Sequence, residues 1–353
     1  MDDQTPIQRK ILYVANLQFE GTSTHRVEAM KRIGQEVITF VPATSLSQSR
    51  LLTRLRYLYP IGPLVASANR DLLKAVHKEK PDVVWFDKPL FFTPETVQET
   101  KSVGAKTVCY NQDNPFGPRN DGIWTQFRRV YRLFDLSCIF RKADVARYQS
   151  WNLPYIELQF SFDPRENFPP PAGWTDADRP RDVSFTGSPY DNRAGFLIAL
   201  AEKHALPVLI TGPNWHRGLN REQIRKYVTG GLLTSAAYRE NIWKSKINLA
   251  FVTHSNEDDL AHKAFEITAC GSFLLAERTP GHLAAFEEGK EAVFFSSVEE
   301  CAEKTRYYLD HEAEREAIAR HGRERAMTSG YDNDTQLKRV FLKLDGIETP
   351  PTI

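Results

Sequence analysis

The chain has 353 residues, 41% hydrophobic and 26% charged. That balance excludes a largely disordered chain, and the length exceeds what one core usually organises, so two domains are expected. Forty-six Lys plus Arg against 45 Asp plus Glu leave a net charge of +1, so no global field draws the chain onto nucleic acid and any anion site is local. Four widely separated cysteines, Cys109, Cys138, Cys270 and Cys301, form no Cys-x-x-Cys pair and read as reduced structural residues. Met1-Asp-Asp-Gln-Thr-Pro6 is unlike a signal peptide, and no apolar run approaches the roughly 18 residues of a membrane span. A cytoplasmic protein, at most at the inner face of the membrane, is expected.

In chain order, Lys10–Ala15 reads as a strand followed by a polar loop and a helix to about Ile33, and Glu36–Val41 as the next strand. Pro81–Phe86, Ala105–Tyr110 and Asp135–Phe140 repeat the pattern with helices between them. Short β-branched and aromatic runs alternating with helices are the signature of a parallel sheet covered on both faces. Prolines at 164, 169, 170, 171 and 180 then break the alternation, which makes 164–181 the expected linker. A second series follows: Asp182–Thr186, Leu206–Ile210, Lys246–Val252, Ser272–Ala276 and Ala292–Phe295. Thr279-Pro280 and Ser297-Val-Glu-Glu300 mark helix starts, and Asp332 or Asn333 caps a last helix, Asp334–Leu344. The expected fold is therefore α/β, with two doubly wound Rossmann-like domains. The first takes residues 1–163, the second 182–330, and 331–353 hold a terminal helix. Ligands bind beyond the carboxyl ends of such strands.

The strand end richest in chemistry runs from Val252 to Gly271. On the helix there, Lys263 and Glu266 are three residues apart and share a face. A carboxylate so placed can accept both hydroxyls of a ribose and the lysine can neutralise phosphate; the plainer alternative is a surface ion pair. Glu266 lies between Phe265 and Ile267, in a helix running into the apolar strand that follows, so its burial calls for a specific partner.

Lys263-Ala-Phe-Glu-Ile-Thr-Ala-Cys-Gly-Ser-Phe-Leu-Leu-Ala-Glu277 resembles the signature of the glycosyltransferases related to the spore-maturation protein CgeB. Phe286–Glu291, Arg306–His311 and Arg315–Gly322 follow in the usual order, and Arg26, Lys80–Trp85, Tyr110–Pro115 and Asp182–Gly187 also fit. The resemblance implies a GT-B fold, with an acceptor-side domain first, a nucleotide-sugar domain second, a cleft between them and the last helix crossing back to the first. It also implies transfer of a sugar from a UDP-, GDP- or dTDP-sugar to a glycan, lipid-linked or protein hydroxyl in surface or spore glycoconjugate synthesis, with no cofactor. Glu266 takes the place of the ribose-binding acid. Asp258, eight residues earlier, stands where the broader class carries Glu, and Lys263 stands where Arg is commoner, which keeps charge but not bidentate phosphate recognition.

The remaining candidates lie on other strand-end loops. Gly187-Ser188 lets a diphosphate approach, or is a plain strand-to-helix turn. Asn214-Trp215 offers a stacking face to the base, or a packed tryptophan. His254 follows the strand ending at Val252, and Arg278-Thr279 opens a helix whose free amides suit phosphate. In the first domain, His25 and Asp113 are the candidate bases for an acceptor hydroxyl; a structural histidine and an aspartate turn are the alternatives. Asp332-Asn-Asp334 reads as a cap, and no histidine pair has zinc-ligand spacing, so a metal-independent enzyme is expected. Leu51–Tyr59 is basic and apolar, suited to peripheral membrane contact or to a core-facing helix. The competing functions are a non-catalytic nucleotide-sugar binder or surface structural protein, and a nucleotide-sugar epimerase.

Overall fold

A computed structural model of the protein describes residues 5–18, 20–43, 49, 51, 52, 55, 59, 61–118 and 122–348. The chain divides into two compact units. One ends at Gln159 and takes the chain back from Asn333; the other is Phe160–Asp332. Among the described residues no helix is long and apolar enough to cross a membrane. Of the segment Leu51–Tyr59, residues 53, 54 and 56–58 lie outside the described set, while Leu51, Leu52, Leu55 and Tyr59 are exposed.

The first unit carries strands β1 (Lys10–Val14), β2 (Glu36–Phe40), β3 (Val83–Asp87), β4 (Lys106–Tyr110), β5 (Leu136–Ile139) and β6 (Tyr155–Glu157). They form one sheet in the order β2-β1-β3-β4-β5-β6, parallel throughout. Helices α1 (Thr22–Arg32), α2 (Pro63–Glu79), α3 (Pro94–Glu99), α4 (Phe127–Val130) and α5 (Lys142–Ser150) connect them. Local sequence sets these boundaries: Thr93 accepts a hydrogen bond from the Thr96 amide at 3.2 Å and Pro94 opens α3, a capped start whose missing N–H costs nothing. The central strand β3 is buried almost entirely, as a sheet covered on both faces requires.

The second unit repeats the plan with β7 (Arg181–Thr186), β8 (Val208–Thr211), β9 (Val228–Gly230), β10 (Ser245–Ala250), β11 (Leu274–Glu277) and β12 (Val293–Phe295). Its order, β12-β11-β10-β7-β8-β9, is that of a dinucleotide-binding Rossmann sheet. The helices are α6 (Arg193–Ile198), α7 (Arg221–Tyr227), α8 (Ser235–Trp243), α9 (His262–Ala269), α10 (Pro280–Ala285), α11 (Val298–Asp310) and α12 (Glu312–Thr328). The two marked starts are occupied as the sequence suggests: Thr279 accepts from the His282 amide and Ser297 from the Glu300 amide, each at 3.1 Å.

The last helix, α13 (Asn333–Leu344), completes the first unit. Asp334 pairs with Arg32 of α1 at 2.6 Å, Phe341 packs on Trp85 of β3 with ring centroids 6.0 Å apart, and the Leu344 carbonyl accepts from Lys106 at 3.1 Å. All four cysteines are buried and unbridged.

Candidate functional site

In the second unit the chain starts at β7, winds outward through β8 and β9, then returns to the other side of β7 with β10. The loops after β7 and β10 therefore leave in opposite directions, and the space beyond those two strands is where ligands bind in doubly wound sheets. Gly187 lies at that point. Its N–H donates to the Thr211 carbonyl at 2.8 Å, and its own carbonyl accepts the Trp215 indole N–H at 3.1 Å. A Cβ at Gly187 would meet the Phe185 ring at 2.8 Å and lie 3.6 Å from Cε of Lys263, and one at Gly212 would fall 2.0 Å from the Gly187 oxygen. Gly212 needs glycine for the close approach of two backbones, and a side chain at Gly187 would displace the Phe185 ring.

A residue not singled out in the sequence ties this corner together. Arg193, the first residue of α6, is 8% exposed. It donates to the Val252 carbonyl and the Thr253 hydroxyl at 2.9 Å each, and to the Ser188 carbonyl at 3.3 Å. One guanidinium thus joins the turn after β7 to the loop after β10. Burial pulls its pKa below the ordinary arginine value, opposed by Asp191. Asp191 fastens the same two loops by accepting the backbone N–H groups of His254 and Ser255, at 2.9 and 3.2 Å.

His254 is turned to Glu277 at the end of β11, its Nε2 2.6 Å from Oε1, and the other oxygen of Glu277 accepts the Val252 N–H at 3.2 Å. Asp258 accepts from the Asn256 side-chain amide at 3.1 Å, within its own loop. The loop is closed from below by His282, which is fully buried. Its Nε2 accepts the Ala261 N–H at 3.0 Å and its Nδ1 donates to the Glu277 carbonyl at 2.6 Å, an arrangement open only to the neutral ring. Burial lowers its pKa to about 4.

Helix α9 then carries Lys263 and Glu266. Glu266 accepts the Tyr238 hydroxyl at 2.6 Å through Oε2, and its Oε1 lies 3.8 Å from the His262 imidazole. His262 is itself fixed, donating to the Ser161 carbonyl at 2.7 Å and stacked on Phe160. The Lys263 ammonium is 3.5 Å from the Tyr238 hydroxyl and 4.9 Å from its ring centroid. Burial pulls the Lys263 pKa down against the attraction of Glu266 and, with that carboxylate, pushes the Tyr238 phenol well up.

Three candidates sit differently from the sequence reading. Trp215 is 3% exposed and packs edge-on against Phe185 at 5.9 Å; its face belongs to the core and its N–H to Gly187, so no stacking surface is offered there. Its neighbour Asn214 is exposed, in the left-handed region at φ 70°. Arg278 is held by Glu300 at 2.8 Å and by Glu288, and pulls the Glu300 carboxyl down to about 2. The Thr279 hydroxyl is occupied twice, capping α10 and donating to the Asp259 carbonyl. The structure therefore brings Gly187, Ser188, His254, Asp258, Lys263 and Glu266 onto the strand-end loops and helix beside the switch point. Arg278 and Thr279 serve the packing of β11 and α10.

In the first unit Asp113 follows β4 and pairs with Lys88 at 2.5 Å. Lys88 sits just past β3 in the left-handed region at φ 55°, its ammonium 5.6 Å from the Trp124 ring. His25 lies in the first turns of α1 with Nε2 buried. Beneath these loops Arg26 is buried against Asp87 at 2.6 Å and over the Tyr110 ring at 4.3 Å, and Asp87 accepts the Tyr13 hydroxyl at 2.5 Å.

Residues 193–341 match the family model described as glycosyl transferase-like. The fold is GT-B. A sucrose-phosphate synthase from Thermosynechococcus elongatus superposes with a TM-score of 0.69 at 11% identity, covering 96% of this chain and 99% of that one. A glycosyltransferase from Rickettsia africae gives 0.65 at 12% identity, over 96% of this chain and 98% of that one. HepE from Anabaena, solved in complex with UDP-glucose, gives 0.64 at 13%, over 96% and 100%. No curated protein sequence matches the chain.

Proposed function

We propose that the protein is a glycosyltransferase that moves a sugar from a nucleotide donor to an acceptor hydroxyl, with the donor held by the second unit. The observation that carries this reading is the Lys263–Glu266 face of α9, fixed by Tyr238 beside Gly187 at the switch point of a Rossmann-type sheet. The match of 193–341 to a glycosyl transferase-like model and the likeness of the fold to an Anabaena protein that binds UDP-glucose support it. In this reading Glu266 accepts the ribose hydroxyls, and Lys263 with the Gly187-Ser188 backbone receives the diphosphate. Asp258 and His254 face the donor sugar. As the glycosidic bond to the diphosphate breaks, negative charge gathers on the leaving oxygens, and a desolvated ammonium already in place stabilises it more than water would. Asp113 is the proposed base for the acceptor hydroxyl, in a metal-independent reaction in the cytoplasm. We place the enzyme with the CgeB-related glycosyltransferases and their glycoconjugate products, on the resemblance of Lys263–Glu277.

The test is to incubate the protein with UDP-, GDP- and dTDP-sugars and follow nucleoside diphosphate release with and without glycan, lipid-linked or protein acceptors. Release that depends on acceptor is expected. Binding without release points to a non-catalytic binder, interconversion of the donor to an epimerase, and no binding of any nucleotide refutes the reading.

A further inference from the structure

On one face of a helix, a lysine and a glutamate three residues apart ordinarily neutralise each other, which would spend both charges before a ligand arrives. Here a phenol from another helix stands at both. The Tyr238 hydroxyl is 2.6 Å from Oε2 of Glu266 and 3.5 Å from Nζ of Lys263, and the ammonium lies 4.9 Å from its ring centroid. A phenol has one proton to give, and the charge-assisted bond to the carboxylate is the strong one. Its lone pairs and ring face are then left for the cation. The helix that carries it is anchored at the same corner. One turn after Tyr238, Asn241 donates to the Thr186 hydroxyl at 2.7 Å, next to Gly187. Arg239 donates to the Glu166 carbonyl at 2.8 Å and Trp243 to the Phe168 carbonyl at 2.7 Å.

We propose that Tyr238 is a positioning residue for the nucleotide: its hydroxyl sets the Glu266 carboxylate for the ribose diol, and its ring holds the Lys263 ammonium apart from that carboxylate, on the Gly187 side. This rests on the donor-site reading above. Two vicinal hydroxyls are accepted together only by a carboxylate of fixed plane, and a glutamate fixed beforehand loses no rotamer freedom on binding.

The test is a titration of wild type, Tyr238→Phe, Glu266→Gln and the double variant with UDP and 2′-deoxy-UDP and with GDP and 2′-deoxy-GDP, alongside thermal unfolding. Wild type prefers the ribonucleotide. Tyr238→Phe weakens the ribonucleotide about tenfold, as loss of one charge-assisted hydrogen bond predicts. It also shrinks the ribo-to-deoxy ratio toward that of Glu266→Gln, and the double variant binds like Glu266→Gln. If Glu266→Gln loses the preference while Tyr238→Phe keeps it, the proposal falls and the donor-site reading stands. Equal weakening of both nucleotides by Tyr238→Phe, with a lowered Tm, makes the tyrosine merely structural. A wild type that binds none of the four overturns both.

Discussion

Glu266 accepts from a phenol, has an imidazole beside it and feels the charge of a lysine, and only the last two are its neighbours in sequence. His262 and Lys263 are neighbours at i−4 and i−3; Tyr238 is 28 residues away and reaches Glu266 only through the sheet. The same limit hid Arg193, whose partners Val252 and Thr253 lie nearly 60 residues on. Its sequence signal is only an arginine shortly after the Gly187-Ser188 pair. Trp215, open in sequence to a stacking face or a packed core role, takes the second: it is buried and its N–H serves the Gly187 carbonyl. A buried carbonyl left without a donor costs about 1–3 kcal/mol, so the indole N–H contributes to holding the turn at Gly187. For Glu266→Ala the expected outcome is nucleoside diphosphate affinity reduced at least tenfold, from loss of about two hydrogen bonds to a charged acceptor. Equilibrium titration against wild type measures it, and an unchanged Kd rejects the ribose role.

Ten strands are legible within about two residues of their ends, because most are runs of β-branched and aromatic residues and, β2 apart, are mainly buried. The two missed, β6 and β9, are three-residue edge strands, one in each sheet. Tyr-Ile-Glu and Val-Thr-Gly carry no continuous apolar run, unlike Val-Phe-Phe of the equally short edge strand β12. At this scale His282 has a consequence for pH. Its folded pKa, about 4, is below the ordinary value near 6.5, so the unfolded chain takes up the proton first. The stability it gives is whole above about pH 6.5 and is lost as pH falls from there toward 4, to about 3 kcal/mol in all. Protonation would break the bond from Ala261 and release the start of α9. Unfolding free energies measured between pH 7 and 4.5 should show His282→Asn with a lower but flatter profile than wild type; parallel profiles would remove His282 as the cause.

Across the molecule, the two sheet orders differ, and in both units candidate residues lie on loops that follow strands. Alternating strand and helix was legible throughout because it is written in period and composition; the loops were not, since their conformations depend on single buried polar groups such as Arg193 and Asp87. Metal independence belongs to this scale. If Lys263 and backbone amides carry the leaving charge, acceptor-dependent release of nucleoside diphosphate is unchanged after dialysis against EDTA. Activity lost to chelation and restored by magnesium or manganese would reject that part of the proposal.

The return of α13 to the first unit also orders events in time. Arg32, Trp85 and Lys106 find their partners Asp334, Phe341 and Leu344 only after Phe160–Asp332 has been made. At about 5–20 residues per second that is a wait of roughly 10–30 s. The unit translated first is thus the last to be finished. Until the final helix leaves the ribosome, the nascent chain presents an unfilled face over β3, and the intervening unit can complete its own core ahead of the one before it.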